Sequence, residues 1–167
     1  ELIKHISDYD MYAFKLDGTQ ELNLFLKTLP QEFSSWDEIM NEMEKPASKE
    51  VMIKIGKSLT IYRDSLAKKI TEATIRKVIF EGHEVYAVNC ASIPDLTDPI
   101  GHQLSTEHPP FAIIWSRARD SIKVSLRGNG NIDVSKIAEK FPRGGGHANS
   151  AGFNIDDNSP LPWKEIE

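Results

Sequence analysis

The chain has one cysteine, Cys90, in 167 residues. It can form no internal disulfide and offers no thiolate cluster for zinc, which removes the secreted-scaffold and zinc-ribbon classes. It has no apolar run of about 18 residues, the length that spans a bilayer, and neither the cationic region nor the apolar stretch of a signal peptide; the expectation is a cytoplasmic protein with no membrane partner. It also lacks an excess of positive charge. With 20 Lys and Arg against 25 Asp and Glu, the net charge is −5, too few cations to coat nucleic acid through counterion release. Glycine is sparse, ten in all, yet three stand together in FPRGGGHANSAGF, residues 141 to 153.

The charge that is present is unevenly placed. Between residues 111 and 151, Arg117, Arg119, Lys123, Arg127, Lys136, Lys140 and Arg143 face only Asp120, Asp133 and Glu139. A local anion site fits that asymmetry.

The first third reads as helix. Leu22, Leu24, Phe25, Leu26 and Leu29 cluster before Pro30, and Ser34 or Ser35 caps a second helix carrying Trp36, Ile39, Met40 and Met43. Pro46 suits a first helical turn. Val51, Ile55, Leu59, Tyr62, Leu66 and Ile70 then form one apolar stripe over about seven turns, a core or lobe contact. After Thr74 the period changes to strands: Val78–Phe80 and Val85–Val88 as a hairpin around Gly82, the apolar run Phe111–Trp115, and Ser121–Arg127, whose Ile122, Val124 and Leu126 face opposite to Lys123, Ser125 and Arg127. Asp98 and Pro99 read as the N-cap and first residue of a helix with Ile100 and Leu104 inward, and Asp133 as the cap of another. His147–Ala151 reads as one helical turn, and Gly152–Ile155 as a last strand. These readings give an α/β fold: a mixed five-stranded sheet flanked by helices, preceded by a helical linker region with a long connecting helix. The expected division is 1–74 helical linker, 75–156 sheet domain and 157–167 loose C-terminus.

Consecutive glycines bare their N–H groups, so a glycine triplet entering a helical turn makes a ring of donors for phosphate or carboxylate, and His147 adds another. A flexible or tight turn is the plainer alternative. Ser125 and Arg127 end the polar face of the preceding strand, and the helix after it returns the glycines toward them; arginine's planar fork matches phosphate oxygens. Asp98 and His102, four apart, are open to a shared metal or to an N-cap beside a surface histidine. Asp8 and Asp10 are open to metal ligation or to capping and a hinge contact. Cys90 reads as a small buried residue. Ser150 lacks a G-x-S-x-G frame, and there is no G-x-x-x-x-G-K-[ST] loop.

The run VSLRGNGNIDVSKIAEKFPRGGGHANSAGF resembles the DHH-associated domain, the carboxyl-terminal lobe of DHH-family phosphoesterases, with S-L-R, D-V-S-x-I-A, G-G-G-H and A-G in order. The likeness extends more weakly through VYAVNCASIPDLTDPIGHQLSTEHPPFAIIW, and ISDYDMYAFKLDGTQELNLFL resembles the segment linking the lobes. This resemblance implies the substrate-binding lobe of a hydrolase that cleaves short oligonucleotides or small, including cyclic, nucleotides. Arg127 would grip a phosphate, Gly144, Gly145 and Gly146 would present N–H groups, and His147 would contact phosphate or nucleotide, with Ser125 beside them; Arg143, where many relatives have glycine, either adds a cation or points outward. It implies two manganese ions in an amino-terminal DHH lobe, which these residues do not contain, so that they would be inactive alone. That lobe would be a partner within the same protein, and a homodimer is possible. The alternative is a non-catalytic nucleic-acid-binding module like the terminal domain of alanyl-tRNA synthetases.

Overall fold

The computed structural model describes residues 1–11 and 13–166. Tyr12, inside the expected linking segment, and Glu167, the end of the expected loose tail, lie outside the described residues. The chain forms two compact units, Glu1–Arg63 and Asp64–Glu167. The divide falls inside the long helix and not at its end, because Ala67 and Ile70 near that end pack with Val88, Ile100 and Ala112.

The first unit holds α1 (Leu2–Asp10), α2 (Thr19–Leu26), α3 (Phe33–Met43) and the start of α4 (Pro46–Thr74). Its core is Leu2, Leu22, Leu26, Ile39, Met43 and Met52. Neither Ser34 nor Ser35 caps α3. The helix begins earlier, with Glu32 at the cap and the Trp36 N–H closing the first turn on the Glu32 carbonyl. The long helix is present over 29 residues, but its apolar stripe is not the buried line here: Val51, Ile55 and Tyr62 are exposed, while Met52 is buried. The buried line is shifted by one residue because Gly56 lets α2 approach; a Cβ there would overlap the Glu21 carbonyl.

The second unit is one sheet with helices on both faces. β1 (Arg76–Phe80) and β2 (His83–Asn89) form the expected antiparallel hairpin, α5 (Pro94–Glu107) crosses to β3 (Phe111–Arg117) parallel to β2, and β4 (Ser121–Gly128) returns antiparallel. α6 (Val134–Ala138), β5 (Gly145–His147), β6 (Ser150–Asp156) and β7 (Lys164–Glu165) complete the order β5-β6-β4-β3-β2-β1-β7. The sheet is mixed as expected but has seven strands, not five. Both additions are short edge strands, one from the glycine triplet and one from the tail.

That tail is not loose throughout. β7 pairs with β1, and Trp163 stands edge-on against Phe80 at 5.9 Å between ring centroids. Phe80 also stacks on Phe141 and Phe153, in the core beneath α6. The other face, under α5, buries Val88, Ala112, Ile114, Ile100 and Leu104. Helix α5 starts earlier than expected, with Pro94 in its first turn and Asp98 and Pro99 inside it. α6 is capped as expected: the Asp133 carboxylate accepts from the Ser135 N–H at 3.0 Å.

Candidate functional site

Cross-strand partners in an antiparallel sheet share a face, and so do alternate residues along a strand. Arg127 on β4 pairs with Ser150 on β6, and Ser150 pairs with His147 on β5. The next row on that face is Ser125, Gly152 and Gly145. Continued inward, the rows reach Ala112 and Ile114 on β3, which lie in the core cluster with Ile100 and Leu104 of α5. Toward the edge, Ser150 and His147 are exposed. The result is a polar shelf with the Arg127 cation at its inner end, the Ser150 hydroxyl next to it, the His147 imidazole at the outer edge, and Ser125, Gly152 and Gly145 in the adjoining row.

The three glycines of the triplet are not equivalent. A Cβ on Gly144 would overlap the Ala138 carbonyl oxygen. One on Gly146, at φ +140°, would meet the Ala151 Cα at 2.5 Å. One on Gly145 would meet nothing within 4 Å. Packing within the chain therefore accounts for Gly144 and Gly146 and leaves Gly145 bare beside the shelf.

His147–Ala151 is no helical turn, so a helix end adds no partial charge to this site. The Ala148 and Asn149 carbonyls accept from the Val134 and Gly128 N–H groups, and those tethers draw the segment into a hairpin between β5 and β6. Of the residues expected at the site, Ser125, Arg127, Gly145 and His147 share the shelf. Gly144 precedes β5 against α6, Gly146 alternates away, and Arg143 is exposed in the turn before them at φ 55°. Ser150 and Gly152 join the shelf without having been expected there; the alternation of Ser150, Gly152 and Asn154 with Ala151, Phe153 and Ile155 is the signal that finds them.

Arg127 is held from α5. Its Nε and Nη2 donate to the Asp98 Oδ1 at 3.1 and 2.8 Å, and its Nη1 donates to the Leu126 carbonyl at 3.0 Å. Asp98 is thus engaged by arginine, while His102 is exposed. Among the described residues no group of three or more His, Cys, Asp or Glu side chains is placed to hold a metal ion.

Asp8 is buried in the first unit. It accepts from the Lys15 and Leu16 N–H groups at 2.8 and 3.0 Å and from the Thr19 hydroxyl at 2.8 Å. Burial would raise its carboxyl, but these donors outweigh it and hold the group below the ordinary aspartate range. Thr19 Oγ1 also lies 2.8 Å from the buried His5 Nδ1. Since the hydroxyl gives its proton to Asp8, it accepts one from Nδ1, leaving Nε2 without a proton. Asp10 is exposed. Cys90 is buried, and burial pushes its thiol up, away from thiolate chemistry. Among the described residues no helix is long and apolar enough to cross a membrane.

Residues 95–165 match the family model of the DHHA1 domain. Over its whole length the chain is 25% identical, across 173 aligned residues, to an uncharacterised protein of Acanthamoeba polyphaga mimivirus, and it spans 40% of that relative's length. Two solved structures share the fold at a TM-score of 0.56 and 12% identity. One is the pGpG-specific phosphodiesterase PggH of Vibrio cholerae, with 92% of this chain and 61% of that one aligned. The other is the DHH domain of a member of a family of ribosomal proteins, with 83% and 37% aligned.

Proposed function

We propose, from the premise that residues 95–165 are a DHHA1 domain, the carboxyl-terminal domain of DHH-family proteins, that the shelf holds the phosphate of a short oligonucleotide or small nucleotide for hydrolysis by a longer protein. The observation that carries this reading is Gly145. A Cβ there would meet no described atom within 4 Å, and it lies in the row next to that of Arg127, Ser150 and His147. A tetrahedral anion seated there would reach backbone on one side and charged or polar donors on the other.

The likeness to a pGpG-specific phosphodiesterase supports a dinucleotide-sized ligand. So does the chain's acidity, since long single strands favour basic grooves with aromatic platforms. The described residues do not fit a two-manganese centre: among them no group of three or more His, Cys, Asp or Glu side chains is placed to hold a metal ion, and Asp98 is bound to Arg127. In this reading the metals and the cleavage step belong to an amino-terminal DHH lobe of a longer chain. What these residues contribute is grip and orientation.

Titration calorimetry of the chain with the 5′-phosphorylated dinucleotide pGpG tests the reading. Arg127→Ala and His147→Ala are each expected to cost about 1.5–3 kcal/mol of binding, roughly tenfold or more, as charge-assisted contacts do. Equal affinity in both variants and the parent overturns the site.

A further inference from the structure

We propose that Asp98 is a positioning residue for Arg127, whose stem passes α5 where Gly101 has no side chain. The inference rests on the phosphate reading above and deepens it.

The acidic and the basic group come from different elements 29 residues apart. Arg127 lies on the sheet face that α5 covers, and its stem runs against the helix at Gly101. A Cβ there would overlap the Arg127 Cγ and stand 2.8 Å from its Cβ. Gly101 is a buried position in the middle of α5, where glycine weakens a helix relative to alanine. Its side chain is absent where the arginine passes.

The pairing does not use up the guanidinium. Arginine carries five N–H donors. Nε and Nη2 each give one to the same Asp98 oxygen, and Nη1 gives one to the Leu126 carbonyl. Among the described residues two donors remain without a partner, one on each terminal nitrogen, the number that a bidentate grip on phosphate needs. Asp98 thus orders the long side chain before any ligand arrives, so its rotamer entropy is lost on folding and not on binding. The Arg127 side chain is 19% exposed and Asp98 50%, so the holding group sits at the rim and the held group mostly beneath it.

The sign of the Asp98→Ala effect separates positioning from the two simpler roles. A carboxylate that merely repels an incoming anion, or that competes for the arginine, would on removal tighten binding. A positioning residue on removal loosens it. Alanine is the best helix former and the site is half-exposed, so the variant is expected to fold; its melting temperature checks that.

The experiment is a calorimetric titration with pGpG of the parent 167-residue chain, Asp98→Ala, Asp98→Asn, Arg127→Ala and the Asp98→Ala/Arg127→Ala pair. Positioning predicts about three- to tenfold weaker binding for Asp98→Ala, the cost of ordering one long side chain at the moment of binding. It predicts substantial recovery in Asp98→Asn, which keeps an acceptor oxygen, and no further loss when Asp98→Ala is added to Arg127→Ala. In the ligand-free chain the Arg127 Nε–H resonance should exchange with water faster in Asp98→Ala than in the parent, a readout independent of ligand. Unchanged or tighter binding by Asp98→Ala, or losses that simply add in the pair, overturns the inference and leaves the shelf standing. No pGpG binding by the parent, or no effect of Arg127→Ala, overturns the phosphate reading itself.

Discussion

Two carboxylates in this chain sit at the centre of polar clusters, and the clusters point opposite ways. In the first unit Asp8 is buried and takes three hydrogen bonds, two from backbone and one from Thr19, which in turn meets His5. Those bonds tie the loop after α1 to the start of α2. In the second unit Asp98 takes two bonds from one arginine that keeps donors in reserve, on the sheet face that also carries Gly145, where a Cβ would meet no described atom within 4 Å. Residue types alone do not distinguish the two, since both offered metal-ligand candidates in the sequence. The difference is direction: polar groups that face inward are spent on the fold, and those that face outward with donors unspent are available to a ligand.

The largest expected effect on stability tests whether the glycine loop is really divided in this way. Gly144→Ala places a methyl group on a backbone carbonyl that cannot swing aside, and overpacking of that kind costs about 3 kcal/mol. A chemical denaturation midpoint equal to the parent's would mean that the contact with Ala138 is not tight, and would return Gly144 to the candidate binding residues.

Next in size is the inward cluster. Thr19→Val keeps shape but strips the hydroxyl between two buried groups, a loss of about 2 kcal/mol. Acid should act on the same cluster. His5 is pushed below its ordinary 6.5 by burial, with Lys49 adding to the effect, and Asp8 is held below its ordinary 3.8 by its donors. For both groups the unfolded chain binds protons more readily than the folded one, so stability rises with pH. The His5 contribution is intact above about pH 6.5 and fades as pH falls through its folded value; the Asp8 contribution fades below about 3.8. Hydrogen exchange followed from neutral pH down through the His5 transition should therefore loosen residues 1–63 first. Acid loosening that begins in residues 64–166 would contradict the contrast between the two clusters.

Much of the second unit was legible because its signals are local. The alternation in Ser121–Arg127 gave the buried Ile122, Val124 and Leu126 and the opposite face that carries Ser125 and Arg127. The Asp133 cap and the hairpin around Gly82 were likewise readable within a few residues. What the sequence hid is non-local. The short run His147–Ala151 has no period of its own, and its hairpin is imposed by carbonyls committed to Gly128 and Val134. β7 is two residues long, too short for any pattern. The Asp98–Arg127 pair needs α5 laid over β4; read without that, Asp98 before Pro99 resembles a helix cap, although the helix begins at Pro94. The stripe on α4 misled for a related reason, since its burial in the first unit is decided by Gly56 meeting α2.

Gly145→Ala has the smallest expected effect on the fold and separates the clusters most cleanly. A methyl group there meets no atom within 4 Å, and the residue is not at positive φ. Replacing glycine at such a position narrows the unfolded chain's freedom, so stability should hold or rise by about 0.4–1 kcal/mol. If the shelf seats a phosphate against the backbone, the same methyl group occupies ligand space, and pGpG should bind about tenfold more weakly, the loss of one good contact. Opposite signs for folding and binding from one added carbon are what an outward-facing site demands and an inward-facing one cannot give. Should Gly145→Ala bind pGpG as well as the parent does, the ligand does not approach the backbone at this position, and the bare glycine loses its meaning as a site.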